Sequence, residues 1–271
     1  MDTAYCKLDQ KPYHIMTFAQ LSDEEIQKKR RHLACPECGW QAYFKRAATS
    51  GQGACFGARP HAPDCSLAAP VSDRGPGSSE VRDILRNPMD HIVIDLNYGA
   101  HEKRHIDEEE SDANGKAKGG SFSGTGSRGP AKMNRRLRPL LKGLISSEEF
   151  RRSSAMIELP RHTSLPANQF FVHFNDISEE HVNNFRGYWG LIFDTGMSLN
   201  GTFWLNTGEY DHLSVMVPDD LYADFKKRIG FRFDHDLEGM HILVLGHLRR
   251  AQTGKLYIEV ESLDRCTLCD D

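Results

Sequence analysis

From Gln169 onward the chain is a series of short apolar runs, rich in aromatic and β-branched residues and separated by Gly, Asn, Asp and Pro. They are Gln169-Phe-Phe-Val-His-Phe174, Trp189-Gly-Leu-Ile-Phe193, Thr202-Phe-Trp-Leu-Asn206, Leu213-Ser-Val-Met-Val217, His241-Ile-Leu-Val-Leu-Gly-His-Leu248 and Lys255-Leu-Tyr-Ile-Glu-Val260. Runs of this length and composition, bounded by turn formers, predict strands. Between the fourth and fifth, Leu221, Phe225 and Ile229 recur every fourth residue, the spacing of one helix face, so Asp219–Ile229 is predicted helical. Counted from Trp189, the order is three strands, one helix, two strands.

That order is the one used by a five-stranded oligonucleotide/oligosaccharide-binding barrel, in which the helix plugs the barrel between its third and fourth strands. The C-terminal part therefore resembles an OB-fold over about residues 187–263, with Gly190 and Gly246 at bends inside strands. Strand alternation assigns Leu191, Phe203, Leu205, Leu213, Val215, Ile242, Val244, Leu256 and Ile258 to the interior. It leaves Trp204, Asn206, Ser214, Met216, His247, Arg249, Lys255 and Tyr257 outside. Exposed aromatics beside cations have the composition of a base-stacking platform, because every base offers a π-face. Covered aromatics in a small barrel are the competing expectation for Trp204 and Tyr257.

The first part of the chain has a different pattern. Tyr5 to Phe18 alternates loosely around Lys7–Pro12 as a short hairpin. Ser22-Asp-Glu-Glu25 is a capping box for a helix from Ile26 to about His32, and Gln41–Lys45 is a short strand. Pro, Gly and Ser dominate from Pro70 to Ser79, Glu80–Leu85 suits a helical turn, and His91–Leu96 is one strand. Residues 99–131 pass through the acidic block Asp107–Glu110 into Gly/Ser-rich sequence with too little apolar surface to offset the entropy of ordering. Arg135–Leu144 and Ser146–Ser153 are predicted as two helices, the second capped by Ser146-x-x-Glu149. The predicted organisation is α+β: a zinc-ribbon-like module over 1–70, a linker over 71–132, and over 133–271 two short helices followed by the barrel.

The cysteines add chemistry to the first module. Cys35-Pro-Glu-Cys38 is answered by Cys55 and then by His61-x3-Cys65, spaced as a closed tetrahedral Zn²⁺ site requires. The expected ligands are Cys35, Cys38, Cys55 and Cys65, with His61 in place of Cys55 as the alternative. His101-Glu-Lys-Arg-His105 has the letters of H-E-x-x-H, but it lies in the charged linker, where His101 and His105 are expected in solvent, and the cysteine cluster has no open coordination position with a general base beside it, so a structural role is expected for the metal. A second pair, Cys266-Thr-Leu-Cys269, reads as tail thiols; half of another site completed by Cys6 or His14 is the alternative. Seven cysteines with two C-x2-C pairs suit a reducing compartment, and neither an export signal nor a membrane-spanning apolar run is present, so a cytoplasmic protein is expected.

Ala4-Tyr-Cys-Lys-Leu-Asp9, the Ser22-Asp-Glu-Glu25 helix, Leu33-Ala-Cys-Pro-Glu-Cys-Gly39, Tyr43-Phe-Lys-Arg46 and the Cys55–Cys65 cluster follow in an order that resembles the zinc-binding N-terminal module of competence protein CoiA-like proteins. The resemblance covers about the first quarter of the chain and implies a DNA context. It departs at Cys55, where a His-Phe pair is common, and in the absence of the nuclease half that usually follows. Such a nuclease needs an acidic residue on one strand and E/D-x-K on the next. Asp95 can supply the first, but Asp224-Phe-Lys226, the only match in letters that follows, falls on the predicted helix.

Charge completes the expectation. The chain of 271 residues has a net charge of −4, yet Asn114–Ser153 holds ten basic and two acidic residues, a local +8. A basic stretch of this kind is a phosphate footprint even on a mildly acidic protein, or else a solvated helix start. A non-catalytic accessory protein is therefore expected, binding single-stranded DNA in preference to RNA through Arg135, Arg136, Arg138, Lys142, Trp204, Asn206, Arg249, Lys255 and Tyr257. A protein–protein adaptor for a DNA-processing or phage-defence enzyme and a degenerate nuclease are the alternatives.

Overall fold

The computed structural model describes residues 1–47, 53–58, 61–62, 64–68, 84–85, 91–94, 96, 132–208 and 212–269. The expectations for the Pro70–Ser79 and 99–131 stretches and for Asp95 lie outside them. The protein is mixed α/β, with few helices and several sheets. Among the described residues no helix is long and apolar enough to cross a membrane.

The N-terminal module is built on a hairpin, β1 (Thr3–Cys6) with β2 (Lys11–His14), to which β3 (Leu33–Ala34) is added. The Asp23–Lys29 helix begins as its capping residue requires: Ser22 Oγ accepts from the Glu25 N–H at 3.3 Å. A tight turn over Arg30–His32 then feeds the chain into β3 and Cys35. β4 (Ala42–Lys45) pairs with β5 (Cys55–Ala58), where Tyr43 lies opposite Gly57. A Cβ at Gly57 would stand 2.3 Å from the Tyr43 ring, so only glycine lets that ring lie flat across the ladder. Phe18, Phe44 and Phe56 pack with ring centroids 5.0 to 5.8 Å apart at the centre of this module's core.

A second, four-stranded sheet has the order β7-β6-β8-β9, from β6 (His91–Ile94), β7 (Lys132–Arg135), β8 (Met156–Glu158) and β9 (Leu165–Pro166). β6 is the strand expected within the linker, whereas β7, which begins at its last residue, was not expected, and Arg135 ends a strand rather than beginning a helix. The helix runs Leu137–Ser146, with Arg136 at its N-cap. The Ser146 capping box is displaced by one residue: Ser147 Oγ accepts from the Phe150 N–H, while Ser146 Oγ donates to the Lys142 carbonyl. A serine that closes one helix cannot also open the next. The second helix is thereby shortened to Glu148–Arg151.

The third sheet joins β10 (Phe171–His173), β11 (Phe185–Leu191), β15 (His241–Arg250), β16 (Leu256–Glu259), β14 (Ser214–Val217), β13 (Phe203–Asn206) and β12 (Asp194–Met197) in that order, with β17 (Cys266–Cys269) beside β15. The predicted strand at Gln169–Phe174 is instead a helical turn over Ala167–Phe170 followed by β10. The Asp219–Ile229 helix forms as predicted, ending at Gly230 with φ 77°, the left-handed conformation glycine adopts without strain. Phe203, Leu205, Val215, Phe225, Ile242, Val244 and Ile258 lie together in the core of this sheet. Leu191 does not. Tyr188 and Ile192 turn inward, and Leu191 packs outward with Phe193 against Tyr43. Both faces of β11 are apolar, so alternation could not choose its phase. Gly190 is needed for a close approach, since a Cβ there would meet the Phe174 ring at 2.4 Å.

Buried charge joins the first module to the third sheet. The Arg30 guanidinium, with no exposed side-chain surface, makes a two-pronged ion pair with Glu238 and donates to the Phe44 carbonyl at 3.2 Å. Arg31 Nε donates to Asp194 at 2.8 Å, and the Tyr43 ring meets Phe193 edge-on at 6.1 Å.

Candidate metal centre and aromatic face

Two short turns bring the metal-ligating residues together. After Cys35 the chain reverses, with Gly39 N–H on the Cys35 carbonyl at 3.0 Å, Cys35 N–H on the Trp40 carbonyl at 2.7 Å, and Gly39 at φ +73°. The second turn is held by the Cys65 N–H on the Ala62 carbonyl and the Ala68 N–H on the Cys65 carbonyl, at 3.0 and 3.1 Å. Glu37 ties the two turns together, accepting from the Ser66 N–H at 2.8 Å and the Ser66 hydroxyl at 2.6 Å. These hydrogen bonds hold the Glu37 carboxyl below its ordinary range, Ser66 being the main cause.

The donor atoms of Cys35, Cys38, His61 and Cys65 lie within 4.8 Å of one another, an arrangement that can hold a metal ion. The sulfurs of Cys35 and Cys65 are 3.8 Å apart; His61 Nδ1 is 3.5 Å from the Cys38 sulfur and 3.2 Å from that of Cys65. Cys55, expected as a ligand, sits on β5 opposite Lys45 and is not in this group; His61, the alternative, takes its place. The reason is local. Strand β5 pins Cys55 in a ladder, whereas His61 and Cys65, four residues apart on the second turn, can face one point.

Burial pushes the Cys38 thiol up, but backbone donors at Ala62 and Trp40 and the His61 ring outweigh it and bring the group to about 6. Burial, reinforced by the neighbouring sulfurs of Cys38 and Cys35, raises Cys65 to about 11. Three sulfurs this close do not all ionise alone; a cation among them is what would let them do so.

Cys266 and Cys269 have another fate. On strand β17 they face opposite ways, Cys266 into the core of the third sheet and Cys269 into the one beneath the Leu137–Ser146 helix. Burial raises the Cys266 thiol to about 12. Residues three apart on a strand cannot converge on one ion, so this C-x2-C is packing.

The aromatic face lies on the side of β13, β14 and β16 away from the core. Trp204 and Tyr257 meet edge-on with ring centroids 6.2 Å apart, and Met216 is paired with Trp204. Both rings are half-buried. Arg249 is exposed, 3.8 Å from Glu259 and 3.7 Å from Glu261; Lys255 leads into β16 and is half-buried. Asn206 is committed to the fold, donating to Asp194 at 3.3 Å and accepting from the Ser214 hydroxyl at 2.8 Å, beside Arg31. Ser214 itself is buried. The basic segment is elsewhere. Arg135 and Arg136 are half-buried and Arg138 and Lys142 exposed, at the end of β7 and on the helix after it, which packs against β15 and β17 through Leu140, Leu141 and Leu144. The structure brings Trp204, Tyr257, Arg249 and Lys255 to one face and leaves the four basic residues on another.

Sequence reasoning missed Arg30, Arg31, Asp194 and Glu238, which position the metal module against the aromatic face. The only signal was their charge, and which charges become buried is decided by long-range packing. Compared with known proteins, the chain matches no family model and no curated protein.

Proposed function

We propose that this chain is a non-catalytic nucleic-acid-binding protein: a structural zinc module fixed beside an OB-like barrel that holds a single strand on its outer face. The observation that carries the reading is the Trp204–Tyr257 pair, two aromatics turned away from a core already filled by Phe203, Leu205, Val215 and Ile258. Aromatics that the core does not need, set beside Arg249 and Lys255, suit stacked bases and their phosphates. The barrel reading draws on the strand pairing. β11 and β12, two residues apart, are taken as one bent strand that pairs with β15 at one end and β13 at the other; β14 and β16 pair in parallel and β15 with β16 antiparallel. The Asp219–Ile229 helix packs Phe225 into the core between β14 and β15.

Zinc is the proposed ion because the donors are three sulfurs and an imidazole. Two sulfurs each about 2.3 Å from one Zn²⁺ stand about 3.8 Å apart in a tetrahedron, the spacing of Cys35 and Cys65. The basic segment ending at Lys142 steers the strand rather than stacking it. Seven free thiols suit the cytoplasm.

The test is titration of the metal-loaded chain with a fluorescein-labelled single-stranded oligothymidylate at two salt concentrations. Binding should weaken with salt, and Trp204→Ala should weaken it about tenfold, within the ~1–3 kcal/mol of one stacked base. An adaptor reading draws on Trp40 and Leu67, 45% and 39% exposed beside the metal ligands; it would be favoured by an oligonucleotide that binds neither parent nor variant.

A further inference from the structure

Gly196 is a glycine that the fold does not require. Its φ lies outside the left-handed region, and a Cβ built on it would meet nothing within 4 Å, in contrast to Gly57 and Gly190, where a ring stands in the way. It lies directly opposite Trp204 in the β12–β13 pair, on the same face of the sheet. Trp204 leans the other way, across β14, to reach Tyr257. The flank of the indole toward β12 therefore has bare backbone beneath it. Two residues back on that strand and on the same face is Asp194, which holds the Arg31 guanidinium through Nε at 2.8 Å; Arg31 keeps 35% of its side chain exposed. Arg249 and Lys255, at the two ends of the β15–β16 turn, lie at the edge of this face, Arg249 3.8 Å from Glu259 and 3.7 Å from Glu261, while Arg250 is paired with Glu179.

We propose that Gly196 is the floor of a slot that takes one unpaired base of a single strand between the Trp204 ring and the Arg31 guanidinium. The inference rests on the nucleic-acid reading above and adds to it a site and a reason for the glycine. A planar base fits there because both walls, an indole and a guanidinium, stack on π-faces and the floor has no side chain. Lys255 and Arg249, the latter exchanging Glu259 and Glu261 for phosphate, meet the phosphates on either side.

The slot can be filled without disturbing the fold. Gly196→Leu and Gly196→Val in the full metal-loaded chain should keep the parent's melting temperature and lower affinity for a fluorescein-labelled oligothymidylate of about fifteen nucleotides by about tenfold, as Trp204→Ala does. If either variant melts like the parent and binds within about twofold of it while Trp204→Ala is weakened, the slot is wrong and the nucleic-acid reading stands. If the parent does not bind, or Trp204→Ala binds as the parent does, both fall. The valine variant decides should leucine lower the melting temperature.

Discussion

At the metal centre the difference between Cys55 and His61 is one of reach. Both lie within the span that a tetrahedral site allows, but Cys55 is fixed opposite Lys45 in a ladder and His61 stands 3.2 Å from the Cys65 sulfur on a turn. Cys55→Ser should therefore retain about one metal ion per chain after dialysis, whereas His61→Ala should lose it to a weak chelator, both read by elemental analysis. The C-x2-C spacing of Cys35 and Cys38 was enough to find the centre from the sequence. The fourth donor was not legible, because spacing constrains how far a side chain can be and not which way its backbone turns it.

Among the elements, the parallel pair β10–β11 depends on a histidine that must stay neutral. His173 lies opposite Trp189 and meets its ring edge-on at 4.6 Å, while its Nδ1 accepts from the Asn175 N–H at 3.2 Å. Burial lowers its pKa from 6.5 to about 4. A histidine whose folded pKa is depressed contributes stability above its unfolded pKa and loses it as pH falls between 6.5 and about 4. Urea midpoints should show a loss of roughly 2–3 kcal/mol across that window. His173→Asn keeps an acceptor for the Asn175 N–H and does not titrate, so its loss should be smaller. β15 beside this pair was legible as an apolar run, and β11 in part, from Trp189 onward. Their phase was not: β11 is buried on both faces, and Leu191 belongs to the face that meets Tyr43. β7 was missed because Lys132-Met-Asn-Arg135 has no apolar alternation, and β6 beside it supplies the ladder.

For the whole molecule, the metal module and the third sheet are held as one by Arg30 and Arg31 against Glu238 and Asp194. Arg30 and Glu238 have no exposed side-chain surface, so removing the cation alone strands the Glu238 carboxylate, while Asp194 keeps Arg31. Arg30→Ala should cost about 3–5 kcal/mol in denaturant unfolding, and the double variant Arg30→Met/Glu238→Leu should recover much of it, because the loss comes from uncompensated charge rather than from the missing contact. By itself the sequence determined what local physics dictates: the capped Asp23–Lys29 helix, the two metal-binding turns, the Phe225-bearing helix and most strands between Phe203 and Ile258. Only the tertiary structure decided which donor completes the metal centre, which face of β11 is core, that Asn206 serves the fold, and that two arginines of the first module, one of them fully buried, pair with carboxylates of the third sheet. The arginine pairs and the face of β11 that meets Tyr43 depend on partners more than a hundred residues away, and the metal donor and Asn206 on how a turn and a ladder orient side chains; a pattern of nearest neighbours carries no information about either.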